Sequence, residues 1–130
     1  LRKDDFEREV FRGVGIKQSL SAYAGEFVTQ ISQRSACAVL HRLEQRLAVW
    51  LLLVADRLDT DVIQITQERI AQHLGVRRAS ITTVAVQMQT AGVISYQRGN
   101  LRISDRQALE AMACECYNAL VVDSRQTTYR

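Results

Sequence analysis

With 130 residues, 47% of them hydrophobic and 24% charged, and a net charge of +3, the chain has the make-up of one soluble globular domain able to build a core without staples. Its longest apolar run, Leu47–Ala55, falls well short of the ~18 residues that span a bilayer, so no membrane partner is expected. Cys37, Cys114 and Cys116 are too few and too odd in number for a disulfide framework and read as free thiols in a reducing cytoplasm.

Asp4 and Asp5 are placed to cap a short helix through about Arg12, ended by Gly13 and Gly15. A long helix follows, from about Lys17 to Leu40. Along it Leu20, Ala24, Phe27, Ile31, Ser35 and Ala38 step by three or four, a narrow stripe rich in small residues that suits close approach of a second helix. Leu20, Ala24, Phe27, Ile31 and Ala38 are therefore the expected dimerisation residues. The competing reading lays the same stripe on the domain's own core. A third helix, about Leu43 to Leu58, carries the wider face Leu43, Leu47, Trp50, Leu51 and Val54 that belongs in a core. Val62–Ile65 is β-branched and reads as a brief strand. Thr66 then reads as an N-cap, its hydroxyl placed to accept from free amides of the next turn.

From Thr66 the pattern is two short helices around a glycine. The first, about Gln67 to Leu74, turns Ile70, Ala71 and Leu74 inward; Gly75 follows where a left-handed residue is wanted, and Val76 plugs the turn. The second starts near Arg78, has Ile81, Val84, Ala85 and Met88 at inward spacing, and closes at Ala91–Gly92. This is the helix-turn-helix pattern. Arg78, Ala79, Thr82, Thr83, Val86 and Gln87 occupy the opposite face, which has no acid and several hydrogen-bonding tips. A recognition helix offers such a face to base edges in the major groove, where arginine bridges O6 and N7 of guanine. Arg78, Ala79, Thr82, Thr83 and Gln87 are the expected base-reading set; a solvated surface arginine is the plain alternative for Arg78.

Val93–Ile103 alternates on either side of Arg98-Gly99-Asn100, with Gly-Asn as the turn signal, and reads as a β-hairpin wing. Arg98 and Arg102 flank its tip and are candidates for phosphate contact. For Arg102, the protection of an exposed edge is an equal reading. Ser104–Asp105 caps a final helix, about Arg106 to Val122, with Leu109, Met112, Ala113, Cys116 and Leu120 inward. Between Arg69 and Ser104 there is no Asp or Glu, while Arg69, Arg77, Arg78, Arg98 and Arg102 fall in that stretch, the footprint a polyanion requires.

No catalytic constellation emerges. Cys114-Glu115-Cys116 is set aside as a metal site because two thiolates one residue apart on a helix diverge and neither His41 nor His73 sits at ligand spacing. No Ser, Cys or Lys has the setting of an activated nucleophile, and no Gly-rich loop joins a strand to a helix. The chain is read as a non-enzyme with no cofactor or metal of its own.

The order of these elements and the residues themselves resemble the Crp–Fnr family of transcription regulators. The resemblance is carried by Glu44-Gln45-Arg46-Leu47-Ala48 with Trp50-Leu51-Leu52, by Ile65-Thr66-Gln67-Glu68, by Leu74 through Thr82, and by Ala91-Gly92-Val93-Ile94 with Arg98-Gly99. It covers nearly the whole chain and is strongest from His41 to Tyr117. It implies that the long helix is a dimerisation helix, that His41-Arg42 is a hinge, that Arg78 is the guanine-reading arginine, and that Thr66 and Gln67 touch phosphate. Ala79 and Thr83 stand where the best-known member has a base-reading glutamate and a second base-reading arginine, which implies a different target. Ile31-Ser32 stands where a cyclic-AMP binder shows Thr-Ser, which argues against that effector. The family's sensor β-barrel has no room here; residues 1–15 resemble its exit, and a first residue of Leu suits a fragment or processed product.

The sequence therefore predicts a mainly α, winged helix-turn-helix protein: residues 1–41 as a short helix and a dimerisation helix, residues 42–130 as the DNA-binding domain. The expected function is a cytoplasmic regulator binding a pseudo-palindromic operator as a homodimer, with double-stranded DNA, a second copy and RNA polymerase as partners. Thr66, Gln67, Arg77, Ser80, Arg98 and Arg102 are the expected phosphate contacts. The rival is a winged-helix module that binds protein through the same face; an acid-free face favours DNA, since protein-binding faces mix signs or expose apolar anchors.

Overall fold

The computed structural model describes residues 2–127. Helix α1 (Lys3–Arg12) has Arg2 at its N-cap, so Asp4 and Asp5 lie in the first turn, not at the cap as expected; they still face the positive end of the helix dipole. Gly13 alone ends α1, in an extended conformation, and serves as the N-cap of α2 (Val14–Leu40). Gly15, expected to help stop α1, lies inside α2. A single interior glycine costs about 1 kcal/mol, too little to stop a helix of 27 residues.

Helix α3 (Leu43–Leu58) is the centre of the molecule. Gln45 Oε1 accepts the Arg42 backbone N–H at 3.1 Å to start it, and Asp59, in the left-handed region at φ 50°, stops it. Leu47, Ala48, Leu51, Leu52 and Ala55 are buried in the main core, with Leu43, Trp50 and Val54 packed at its margin as their spacing predicts. Against this face lies a three-stranded antiparallel sheet of β1 (Val62–Gln64), β2 (Ile94–Gln97) and β3 (Asn100–Ile103), in the order β1-β3-β2. The register pairs Ile63 with Leu101 and Ile94 with Ile103, all four buried, so one sheet face closes the core.

The wing turns at Arg98 and Gly99, both at positive φ (47° and 79°), the mirror-image turn that matches strand twist. The expected Gly-Asn turn is thus one residue late. Asn100 already pairs with Gln97 and Gln64 in the ladder.

Helices α4 (Gln67–Leu74) and α5 (Arg78–Thr90) form the helix-turn-helix. Thr66 caps α4, its hydroxyl accepting from Arg69 N at 3.3 Å, and Gly75 ends α4 at φ 66°. The Arg46 guanidinium of α3 donates to the Leu74 carbonyl at 2.5 Å, satisfying an acceptor that the end of α4 leaves open.

The expected single C-terminal helix is two: α6 (Arg106–Met112), capped by Asp105, and α7 (Cys116–Thr127). Ala113 adopts an extended conformation between them. Leu109, Cys116 and Leu120 are buried and keep helical spacing across the break, which is why periodicity hides it. Arg106 donates to Asp56 of α3 (2.6 Å) and to Glu110 (3.0 Å), and the Tyr117 hydroxyl donates to the other Asp56 oxygen at 2.8 Å, so both segments are tied to α3 separately. Cys114 therefore lies in the break and Cys116 opens α7. Across from them α2 brings Cys37 and His41. The geometric ground for setting the Cys-Glu-Cys run aside, two thiols on one helix with no histidine near, does not hold.

Replacing Arg46 with Met retains the apolar stem but removes the charged donor to Leu74. We expect chemical denaturation to show a loss of about 1–2 kcal/mol. A loss of a few tenths would mean that water serves the carbonyl equally well.

Candidate nucleic-acid interface

Helix α5 lies with Ile81, Val84, Ala85 and Met88 buried, Ile81 and Met88 completely so. A helix that buries those four positions must present the intervening ones outward. Arg78, Ala79, Thr82, Thr83 and Gln87 are all exposed, as predicted, and Val86 joins them at 53%. Ser80 is half-buried at the edge of this face.

The start of α5 is unusual in its chemistry. Arg77 is the N-cap, its side chain accepts nothing from the helix, Arg78 is the first helical residue, and the first turn has no acid. Ser, Thr, Asp or Asn at the cap and acids in the first turn would suit the orphan amides and the helix dipole far better. Two arginines here weaken the helix and strengthen the local positive field.

The hydroxyls of the face are held. Thr83 Oγ1 donates to the Ala79 carbonyl of its own helix at 3.1 Å. Thr82 Oγ1 lies 2.6 Å from Gln67 Oε1 and 3.2 Å from the Arg78 carbonyl. One hydroxyl proton serves one acceptor; with the Gln67 amide turned over, its NH2 donates to Thr82 and both contacts are satisfied. Gln67, expected at phosphate, and Thr82, expected at bases, thus form one α4–α5 unit. Thr66 is exposed, with its hydroxyl engaged as the cap.

On the wing, Arg98 and Arg102 are exposed. Tyr96 at the wing's base donates its hydroxyl to the Ile65 carbonyl at 2.6 Å, and Ile65 N donates to the Gly99 carbonyl at 2.8 Å, so the hairpin is fastened to the entry of α4. Burial pushes the Tyr96 phenol above its ordinary range, against smaller opposing pulls from its Gln67 backbone contact and from the Arg78 charge. The wing base and the start of α5 therefore share one electrostatic neighbourhood.

Every predicted dimerisation residue on α2 is exposed: Leu20 (43%), Phe27 (53%), Ile31 (48%), Ala24 and Ala38. Sequence reasoning missed Ile16, Tyr23 and Val28, which widen the stripe and are also exposed, with the Tyr23 and Phe27 rings stacked at 6.3 Å between centroids. Their i,i+4 spacing to Leu20, Phe27 and Ala24 is the signal that would have found them. The stripe is not buried in the chain's own core, though Ile31 and Ala38 line a groove shared with Trp50 and Leu53 of α3. What α2 turns inward is another edge, with Gln30 and Gln33 half-buried and Cys37 buried beside the α6–α7 junction.

Residues 45–112, half of the chain, match the Crp-like helix-turn-helix domain family. Among solved structures, a Crp/Fnr-family transcriptional regulator from Eubacterium rectale superposes with a TM-score of 0.73 at 23% identity, over 82% of this chain and 50% of that one. FixK2 from Bradyrhizobium japonicum superposes with a TM-score of 0.77 at 16% identity, over 88% and 60%. A Crp-family transcriptional regulator from Thermus thermophilus gives 0.60 at 23% over 66% and 47%. This chain thus spans 50–60% of the length of the first two, and at these identities the likeness is one of fold. No curated protein sequence matches.

The conflict at the start of α5 makes a two-sided prediction. Arg77→Asp supplies the missing cap and should raise stability by about 1 kcal/mol. The same change should lower retention on heparin and flatten its salt dependence by about one unit of slope. Stability and retention moving together would remove Arg77 from the anion-binding surface.

Proposed function

The chain belongs to the family of Crp-like helix-turn-helix domains, and from that premise we propose that it is a sequence-specific DNA-binding transcription regulator acting as a homodimer. One observation carries this reading: the outward face of α5 is uncovered, free of acid, and opened by two arginines that the helix itself disfavours. A bound phosphate would convert that unfavourable end into a favourable one.

In this reading α5 enters the major groove. Arg78 makes two parallel bonds to a guanine, Thr82, Thr83 and Gln87 meet neighbouring base edges, and Ala79 and Val86 offer apolar contact to thymine methyls. Thr66, Gln67, Arg77, Ser80, Arg98 and Arg102 hold phosphates and set the pose, the Gln67–Thr82 contact fixing the base-reading residues relative to the backbone anchors. The exposed stripe Leu20, Ala24, Phe27, Ile31 and Ala38, with Tyr23 beside it, packs against its copy. Two recognition helices then address successive major grooves about 34 Å apart on a two-fold symmetric site. A protein-binding module would need apolar anchors on the α5 face, and Val86 is the one large apolar side chain exposed there.

Arg78→Ala should weaken binding to a duplex selected from a random library by ~1–3 kcal/mol and relax preference at one base pair per half-site. Equal losses on selected and scrambled duplexes would demote Arg78 to a phosphate contact.

A charge placed in the α2 stripe tests the assembly. Phe27→Lys, at an exposed position, should leave the chain folded yet shift it to monomer in sedimentation and cost at least tenfold in affinity for the two-fold site. An unchanged association state would remove this stripe from the interface.

A further inference from the structure

We propose that Cys37, His41, Cys114 and Cys116 form a closed four-coordinate zinc site that clamps the end of α2 onto the junction of α6 and α7. The four residues come from two places far apart in sequence: Cys37 and His41 are one helical turn apart at the end of α2, and Cys114 and Cys116 flank the start of α7. Their ligand atoms all lie within 4.8 Å of one another. Cys37 Sγ is 3.6 Å from Cys114 Sγ, and Cys116 Sγ is 3.6 Å from His41 Nδ1. A tetrahedral zinc with bonds of ~2.3 Å to sulfur and ~2.0 Å to nitrogen sets S···S near ~3.8 Å and S···N near ~3.6 Å. The cluster therefore has the size of a single ion, and is too tight for thiolates spread around a multi-iron cluster.

The surroundings are those of a metal centre. His41 offers Nδ1 to the sulfurs while its Nε2 lies 3.1 Å from Glu115 Oε1, so the carboxylate accepts that N–H and leaves Nδ1 unprotonated as the ligand. Gln33 Nε2 donates to Cys116 Sγ at 3.1 Å, an outer-shell amide aimed at a candidate ligand. Three buried cysteines could simply fill space among Val49 and Leu120. Filler sulfurs, however, need neither an amide donor nor a histidine turned toward them by a carboxylate. Burial and the two neighbouring thiols push the Cys37 thiol up to about 12, and burial raises that of Cys114. A dication bound here displaces one proton from each thiol and is held by the resulting thiolates. Three thiolates and one imidazole are a donor set for a borderline-soft ion such as Zn²⁺, not for Mg²⁺ or Ca²⁺. All four positions are filled by protein, so the site is structural.

The test uses the reduced, chelator-treated chain titrated with Co²⁺ and then Zn²⁺. One equivalent of cobalt should saturate with the visible bands of tetrahedral coordination and intense near-ultraviolet thiolate charge transfer, and zinc should bleach both. Cys37→Ala should remove one thiolate's share of the charge transfer and lower zinc affinity at least 100-fold. Glu115 is exposed (side chain 80%), so Glu115→Gln should leave the fold intact and cost about 10- to 100-fold in zinc affinity. The proposal is overturned by non-saturating cobalt absorption, by an octahedral spectrum, or by affinity indifferent to both substitutions. An iron–sulfur chromophore in anaerobically prepared protein would equally replace it.

Discussion

The one-sided burial of α5 is the constraint on which the rest of the molecule depends. Ile81, Val84, Ala85 and Met88 are drawn into the core built by α3 and the sheet, and each of the larger two contributes roughly 1.5–3 kcal/mol by leaving water. Helical geometry allows no choice about the remaining positions. Once those four face inward, Arg78, Ala79, Thr82, Thr83, Val86 and Gln87 face outward in a fixed orientation. The orientation is reinforced from behind: Arg46 holds the end of α4, Gly75 makes the turn, and Tyr96 ties the wing to the entry of α4. A binding face on a helix anchored in this way is preorganised, and ordering it on association carries little entropic cost.

Local stability and the outward face pull in different directions, and they do so at arginines. Arg77 and Arg78 sit at the positive end of a helix dipole. Arg98 occupies a left-handed turn position where Asn or Gly would fit without strain. Nearby positions follow their local rules: Thr66 and Asp105 cap their helices, Gly75 takes the left-handed end of α4, and apolar residues alternate along β3. Within the acid-free stretch the departures fall on cations, which is where a surface fitted to a polyanion would place them.

The fold was legible in the chain wherever a pattern is local. The helix periods, the Thr66 cap, the Gly75 turn and the Arg78 start are all set within a few residues of themselves, and the outward face of α5 followed from them. Three features were not legible, for related reasons. The break at Ala113 is invisible to periodicity because the buried positions keep helical spacing across it. The wing turn was displaced by one residue because Gly-Asn is a good turn signal on its own, and only the pairing of Asn100 with both Gln97 and Gln64 excludes it. The convergence of Cys37 and His41 with Cys114 and Cys116 spans more than seventy residues of chain. No spacing rule reaches that far.

The two edges of α2 place that convergence in context. The apolar stripe is exposed, its Ile31 and Ala38 bordering a groove with Trp50 and Leu53 of α3, while its Gln and Cys edge looks toward the α6–α7 junction. A two-residue link, His41 and Arg42, both extended, joins α2 to α3. A link that short fixes distance but leaves direction open, since two extended residues can pivot. Direction must come from side contacts, which along this edge include Gln33 to Cys116, Cys37 to Cys114, His41 to Cys116 and Glu115, and the packing of Cys37 with Val49 and Leu120. In a dimer built on α2, any rotation about this link would move both α5 helices relative to each other, roughly in proportion to their distance from the pivot. The spacing of the two outward α5 faces in such a dimer would then depend in part on sulfur and imidazole contacts far from either face. In that dimer, a change in the chemistry of those few atoms would alter the geometry of the two faces.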